Sequence, residues 1–145
     1  MNRAAIVAEA RTWVGTPYAH QASAKALACD CIGLIVGVAR TLGIREATDY
    51  DTALEVRGYG RQPDPVALLA ATDKYLQQIP LAEAEPGDIY LLRFERDPMH
   101  FAILSRLDPP YIIHAVELRG GVVEHRVDHF WRNRIMRAYR YREAW

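Results

Sequence analysis

Apolar side chains recur along Arg3–Val14 at Ile6, Ala10 and Trp13, three to four positions apart. That spacing predicts an amphipathic helix, and Gly15-Thr16-Pro17 stops it. Tyr18–Ala28 has no period and reads as a loop. From Cys31 a second stripe runs through Ile32, Ile35, Ala39 and Leu42. Asp30 stands in the N-cap place of this helix and Gly43 just past its end, both residue types suited to those positions. A long connection, Ile44 to Pro63, is rich in Asp, Gly and Tyr. Asp64-Pro65 then opens a third helix, with Val66, Leu69 and Leu76 on its apolar face and Pro80 closing the region.

After Pro86-Gly87-Asp88 the texture changes to short apolar runs divided by turn formers: 89–92, 101–104, 111–113, 122–123 and a mixed run at 136–141. These predict strands. Helices first and a meander of strands afterwards predict an α+β fold with an antiparallel sheet.

Composition narrows the picture. The 145 residues fit one domain, 1–145, and half of them are hydrophobic against a quarter charged, which excludes disorder and coiled coil. The 18 basic and 18 acidic residues cancel, so the balance gives no sign of a nucleic-acid partner. Residues 46–97 carry eleven acidic against five basic groups, an acidic insert on a mildly basic body. No run of 18 apolar residues predicts a membrane span. Arg3, Glu9 and Arg11 interrupt the first fifteen residues, so no signal peptide is expected, and synthesis in the cytoplasm is.

Two cysteines, Cys29 and Cys31, lie too close in sequence for an unstrained disulfide. The pair reads as reactive, metal-binding or inert. Cys31 opens a helix, where unpaired backbone N–H groups and the helix dipole favour a thiolate and could hold an oxyanion. The alternative is a cysteine packed as a small hydrophobe. His100 precedes one predicted strand and His114 ends another, and a hairpin would bring both imidazoles to one region of the sheet. A thiol, an imidazole base and a second polar group to orient it are the parts of a cysteine hydrolase. Cys29, Cys31, His100 and His114 are also four possible zinc ligands, which leaves a non-catalytic, zinc-stabilised component as the competing reading. His125 and His129 read as solvated surface, Trp131 with Phe130 as a cap on the core, and Asp49, Asp51 and Glu55 as a solvated loop without the oxygen pattern of a calcium site.

Asp30-Cys31-Ile32-Gly33-Leu34 resembles the nucleophile motif of the NlpC family of papain-like cell-wall cysteine peptidases. Trp13-Val14-Gly15-Thr16-Pro17-Tyr18 resembles the tyrosine segment upstream of it, and Pro86-Gly87-Asp88-Ile89 the start of the first core strand. Met99-His100-Phe101-Ala102-Ile103-Leu104 and Ile113-His114-Ala115 resemble the two histidine segments. The five matches follow family order over residues 5–140. Ile32 stands where the family has Ser, His20-Gln21-Ala22 replaces its frequent Gly-Gly, and Cys29 has no counterpart.

The resemblance implies a papain-like core with the cysteine helix packed on an antiparallel sheet. It implies Cys31 as nucleophile, His100 as general base and then acid, and His114 as the orienting residue. Tyr18, Asp30 and His20 fall beside the substrate or the oxyanion. The implied reaction is hydrolysis of amide bonds in peptidoglycan stem peptides, commonly the D-γ-glutamyl–diamino-acid bond, with no cofactor or metal. Residues 18–22 and 29–31 look most like the small members that accompany phage-tail genes, which implies delivery to the wall by a phage-like tail. A thiol of this kind is expected to ionise easily, giving a broad, bell-shaped pH curve that extends below neutrality.

Overall fold

Three helices build one side of the molecule, and each is set by local chemistry. A computed structural model describes residues 2–44, 65–94 and 97–144. Helix α1 (Arg3–Arg11) starts where the Asn2 carboxamide accepts the Ala4 N–H, and it stops three residues earlier than its apolar pattern. The Thr12 hydroxyl donates to the Glu9 carbonyl, and a turn follows that Gly15 completes at φ +93°. Trp13 still reaches the core and lies against Gly37 of α2 (Cys31–Leu42), where a Cβ would come within 2.2 Å of the indole. That close approach is the reason the helix carries glycine there.

Helix α2 keeps its expected limits. Asp30 caps it through the Gly33 N–H, and Gly43 ends it in the left-handed region at φ +73°. Every residue from Cys31 to Ala39 is buried, so this helix forms the centre of the core. Each fully buried Leu, Ile or Val contributes about 1.5–3 kcal/mol of hydrophobic stabilisation.

The segment read as a loop holds a two-stranded ribbon, β1 (Ser23–Ala24) with β2 (Ala28–Cys29), too short to show a period in sequence. Helix α3 (Pro65–Tyr75) is present and Leu69 packs against the core as expected, but the rest of its buried face differs. Val66 is 75% exposed, and Leu68 enters the core instead. Leu76 does not extend the helix. It begins strand β3 (Leu76–Ile79), whose pairing with β8 (Ile135–Tyr141) supersedes local helical preference. The expected loop acids Asp49, Asp51 and Glu55, most of the 44–63 connection and Asp64 lie outside the described residues.

The remaining strands are β4 (Ile89–Phe94), β5 (Asp97–Arg106), β6 (Tyr111–Val116) and β7 (Gly121–Arg126). With β3 and β8 they make a six-stranded antiparallel sheet in the order β3-β8-β4-β5-β6-β7. The entry to β4 shows what Pro86-Gly87-Asp88 does as a unit. Gly87 adopts φ +98°, and a Cβ there would meet the Arg3 main chain at 2.8 Å. Asp88 is fully buried, accepts the Glu85 N–H, and receives both arms of the Arg140 guanidinium at 2.8 Å. This bidentate pair ties β4 to β8.

The sheet is covered on both faces, which is why its strands read as continuous apolar runs. One face, with Ile89, Leu91, Phe101, Ile103 and Ile113, packs against α1, α2 and α3. The other, with Tyr90, Leu92, Ala102, Leu104 and Ile112, is covered by Ala84, Val127 and Trp131. Trp131 sits on a short helix, α4 (His129–Arg132), which Asp128 caps by accepting the Trp131 N–H at 3.0 Å. The α+β arrangement, with the cysteine helix laid on an antiparallel sheet, is the expected one.

Candidate active site

The thiol end of the site is assembled within a few residues of sequence. Asp30 is buried, and its two carboxylate oxygens accept the Gly33 N–H at 2.7 Å and the Gln21 N–H at 2.8 Å. The first bond caps α2, and the second folds the Tyr18–Ala22 segment back over the start of the helix. Gly33 permits this, because a Cβ there would lie 1.9 Å from the Ala22 carbonyl oxygen. His20 Nδ1 stands 4.0 Å from the same carboxylate. Tyr18 is half-buried against the core; its main chain bridges to Cys29 and donates to the Gly120 carbonyl. Tyr18, His20, Asp30 and Cys31 are thus brought together around one helix N-terminus.

Cys29 is fully buried, its amide donates to the Pro17 carbonyl, and its side chain belongs to the helix-side core. The packing role is the one it fills. Cys31 instead lies where the backbone amides of Phe101 and Ile32 favour its thiolate. The Phe101 contact sets the thiol one residue from His100, at the point where α2 meets β5.

The imidazole end is assembled by register. Leu92 pairs with His100, and Ile103 with Ile113, so His114 lies diagonally across from His100 on one face of the sheet. Their rings meet at His100 Nε2···His114 Nδ1, 2.7 Å. His114 in turn pairs with Val123, which places His125 two residues further along β7 on the same face. There His114 Nε2 lies 2.7 Å from His125 Nε2, and His125 Nδ1 lies 2.7 Å from the Arg126 carbonyl oxygen. The expectation that His125 is solvated surface is therefore corrected: it is the third ring of a hydrogen-bonded row. His129, by contrast, is exposed on α4 and hydrogen-bonds only locally, to Asn133. Trp131 stacks on His100 at 5.4 Å between ring centroids and meets His114 edge-on at 4.8 Å. It covers the histidine row, while Phe130 remains half-exposed and packs on the Trp131 edge.

The electrostatics oppose the expectation of an easily ionised thiol. Burial, helped by the Asp30 charge, pushes Cys31 up to about 12, although the Phe101 and Ile32 amides pull the other way. Burial pushes His100 down to about 4, and it lowers His114 as well, with the neighbouring His100, His125 and Arg119 adding to the effect. Both shifts favour the neutral forms near neutral pH, a thiol at Cys31 and an unprotonated imidazole at His100. Burial first, and the Asp30 charge after it, outweigh the helix N-terminus, which is why that position alone does not produce a thiolate here.

The zinc reading fails on geometry. A zinc ligand points its nitrogen lone pair at the metal from about 2.0–2.1 Å. Here the facing nitrogens of His100 and His114 are directed at each other, and the far nitrogen of His114 at His125. Among the described residues no group of three or more His, Cys, Asp or Glu side chains converges to hold a metal ion.

Comparison with solved structures decides the fold. The NlpC/p60 domain of the peptidoglycan hydrolase SagA superposes with a TM-score of 0.61 at 24% identity, covering 96% of this chain and 98% of that one. The chain has the NlpC/p60 fold. A Staphylococcus aureus protein described as similar to a lipoprotein of the NLP/P60 family gives 0.60 at 19% identity, with 96% of this chain matched to 41% of that one. The p60 domain of a Mycobacterium avium subspecies paratuberculosis antigen gives 0.59 at 16% identity, covering 97% and 96% of the two chains. No protein-family model matches the sequence, and neither does any curated protein.

Proposed function

We propose that this protein is a cysteine amidase that hydrolyses stem-peptide amide bonds of bacterial peptidoglycan. The observation that carries the reading is the placement of Cys31 at the N-terminus of α2, by the Phe101 amide and so one residue along the chain from His100, whose Nε2 meets His114 Nδ1 at 2.7 Å. The fold shared with the SagA peptidoglycan hydrolase domain supports the substrate class.

The geometry suits general-base catalysis from a neutral pair. Sγ attacks the carbonyl carbon as its proton passes to His100, and the oxyanion forms at the N-terminus of α2, beside the Cys31 N–H. His100 then gives that proton to the leaving nitrogen, the C–N bond breaks and a thioester remains. Water attacks the thioester with its proton passing to His100, the C–S bond breaks, and the proton returns to sulfur. Tyr18 adds its hydroxyl near the oxyanion, while His20 and the Asp30 carboxylate shape the substrate side of the same helix end. The bond of choice is D-γ-glutamyl–diamino acid. The likeness of residues 18–22 and 29–31 to tail-associated proteins supports delivery to the wall by a phage-like tail after synthesis in the cytoplasm.

Incubation with purified peptidoglycan, with products read by mass spectrometry, tests the activity. Release of fragments ending in a new D-glutamyl carboxyl and a new diamino-acid amine is the expected result. Intact wall after prolonged incubation, together with intact soluble muropeptides, would overturn it.

A further inference from the structure

We propose that His125 is a positioning residue: with the Arg126 main-chain carbonyl it fixes the proton arrangement of the whole histidine row, so that His100 presents an unprotonated Nδ1 to the thiol. The inference rests on reading Cys31 and His100 as nucleophile and base, and it adds a residue beyond the cysteine and two histidines.

The argument begins at the far end of the row. A carbonyl oxygen only accepts, so at 2.7 Å from the Arg126 oxygen His125 Nδ1 must carry a proton. In a neutral ring the other nitrogen is then an acceptor, so His114 must donate from Nε2 across its 2.7 Å contact. His114 Nδ1 is left as the acceptor for His100 Nε2–H, also at 2.7 Å. One proton arrangement satisfies all three contacts with neutral rings, and it leaves the lone pair of His100 on Nδ1. Burial, then the two adjoining rings and the Arg119 charge, disfavour protonation of the middle ring, which favours this arrangement over an imidazolium that would donate in both directions. Trp131 holds the rings in place, stacked on His100, edge-on to His114, and 6.4 Å from His125 between centroids.

Substitutions at 125 therefore sort by hydrogen-bond polarity rather than by size. In His125→Gln the side-chain carbonyl accepts from His114 and the amide donates to the Arg126 carbonyl, so the arrangement survives. In His125→Lys only donors remain. His114 must then accept at Nε2 and donate from Nδ1, and His100 is left with its proton on Nδ1, the wrong nitrogen. In His125→Ala water fills in with either polarity.

The first test needs no substrate. Nitrogen-15 NMR of the full chain in a Cys31→Ala background reads which ring nitrogen carries the proton. The expected pattern is Nε2–H at His100 and His114 and Nδ1–H at His125, with His100 switching to Nδ1–H when His125→Lys is added. Nδ1–H at His100 without that change would overturn the proposal. The second test is kcat with the thiol intact. Loss of an outer positioning group costs about 10–100-fold, and a wrongly protonated base costs up to about 10⁴-fold. His125→Gln should recover most of the activity, His125→Ala should lose about tenfold, and His125→Lys should lose more than about 100-fold, all with KM little changed. A lysine variant no worse than alanine, or a glutamine variant as poor as lysine, would mean that the ring only fills space. Should the wild type show the expected proton pattern yet release nothing from peptidoglycan, the hydrolase reading falls and the relay stands. Normal hydrolysis with the reversed pattern sinks the relay alone.

Discussion

The two ends of the site are built in opposite ways. At the thiol end, Gln21, Ala22, Asp30 and Gly33 lie within thirteen positions of one another, and a single carboxylate both caps the helix and pins the preceding loop. At the imidazole end, His100, His114 and His125 come from three strands and Trp131 from a helix beyond them, and only sheet register brings them into a row. The first end depends on local geometry and the second on the folding of the whole sheet. Burial also acts on them with opposite sign, raising the acid and lowering the bases. Both effects favour neutral forms.

The sharpest break of the comparison is at the thiol. Cys31→Ala should abolish hydrolysis while leaving the circular dichroism spectrum and melting transition close to wild type. Cys29→Ala, a core residue whose main chain supplies the contacts to Pro17 and Ala19, should keep most activity. Parallel assays of the two variants on peptidoglycan decide the point: equal loss from both would contradict the assignment of the nucleophile.

At the other end, His100→Ala should cost about 10²–10⁴-fold, the usual worth of a positioned acid–base group. His114→Ala should cost less, and His114→Gln less again, because an amide still offers an acceptor to His100. The pH dependence of kcat/KM follows from the neutral pair. The active form has His100 unprotonated, so activity should hold through the mildly acidic range and fall only as pH approaches about 4. A limb centred near 6.5, the free imidazole value, would show that burial does not control this histidine.

The sequence is most readable where structure is local. Asp30, the Cys31–Leu42 stripe and Gly43 specify α2 to the residue, since cap, periodicity and left-handed stop all act within one helix. The apolar runs after Gly87 locate the strands, but their ends depend on partners. Extending the Val122–Val123 run to Arg126 needs the β6 ladder, in which Ile112 lies opposite His125. A hairpin centred between Leu118 and Arg119 carries the signal: it sets His114 opposite Val123 and brings His125 diagonally onto the same face. Leu76 shows the same limit, because its helical spacing gives way to pairing with Tyr141. The thiol ionisation was illegible for another reason, since a helix N-terminus is visible in sequence and the depth of burial is not.

Stability against pH separates the two ends further. His100 and His114 have folded pKa values below the unfolded value of about 6.5, so the unfolded chain binds more protons as pH falls beneath it. Their stabilising contribution is present above about 6.5 and is lost toward pH 4, at about 1.4 kcal/mol per pH unit for each histidine. Cys31 has the opposite sign. Its folded value is raised to about 12, so its contribution is complete below the unfolded thiol value of about 8.5 and is lost as pH rises beyond it. Urea midpoints measured from pH 4 to 10 should therefore drop at both extremes. Cys31→Ala should ease the alkaline drop alone, and an acid drop that disappears with it would show the two ends to be coupled.

The smallest effect isolates Asp30. Asparagine caps helices about as well as aspartate, and its carbonyl can keep the Gly33 N–H, so Asp30→Asn should leave α2 in place. What changes is charge. The carboxylate raises the Cys31 pKa, and its removal should lower it, increasing the thiolate fraction at a fixed pH. The rate of alkylation of Cys31 by iodoacetamide near pH 8 should rise, by less than about tenfold, since tenfold would need a full pKa unit from this one charge. Some stability is lost alongside, because Gln21 N–H would face an amide nitrogen in place of its carboxylate oxygen. The acid-side loss of stability should not move, since the His100 shift arises from burial and not from Asp30. Unchanged alkylation in the variant would mean that burial alone holds the thiol protonated, and that the capping carboxylate contributes geometry without electrostatics.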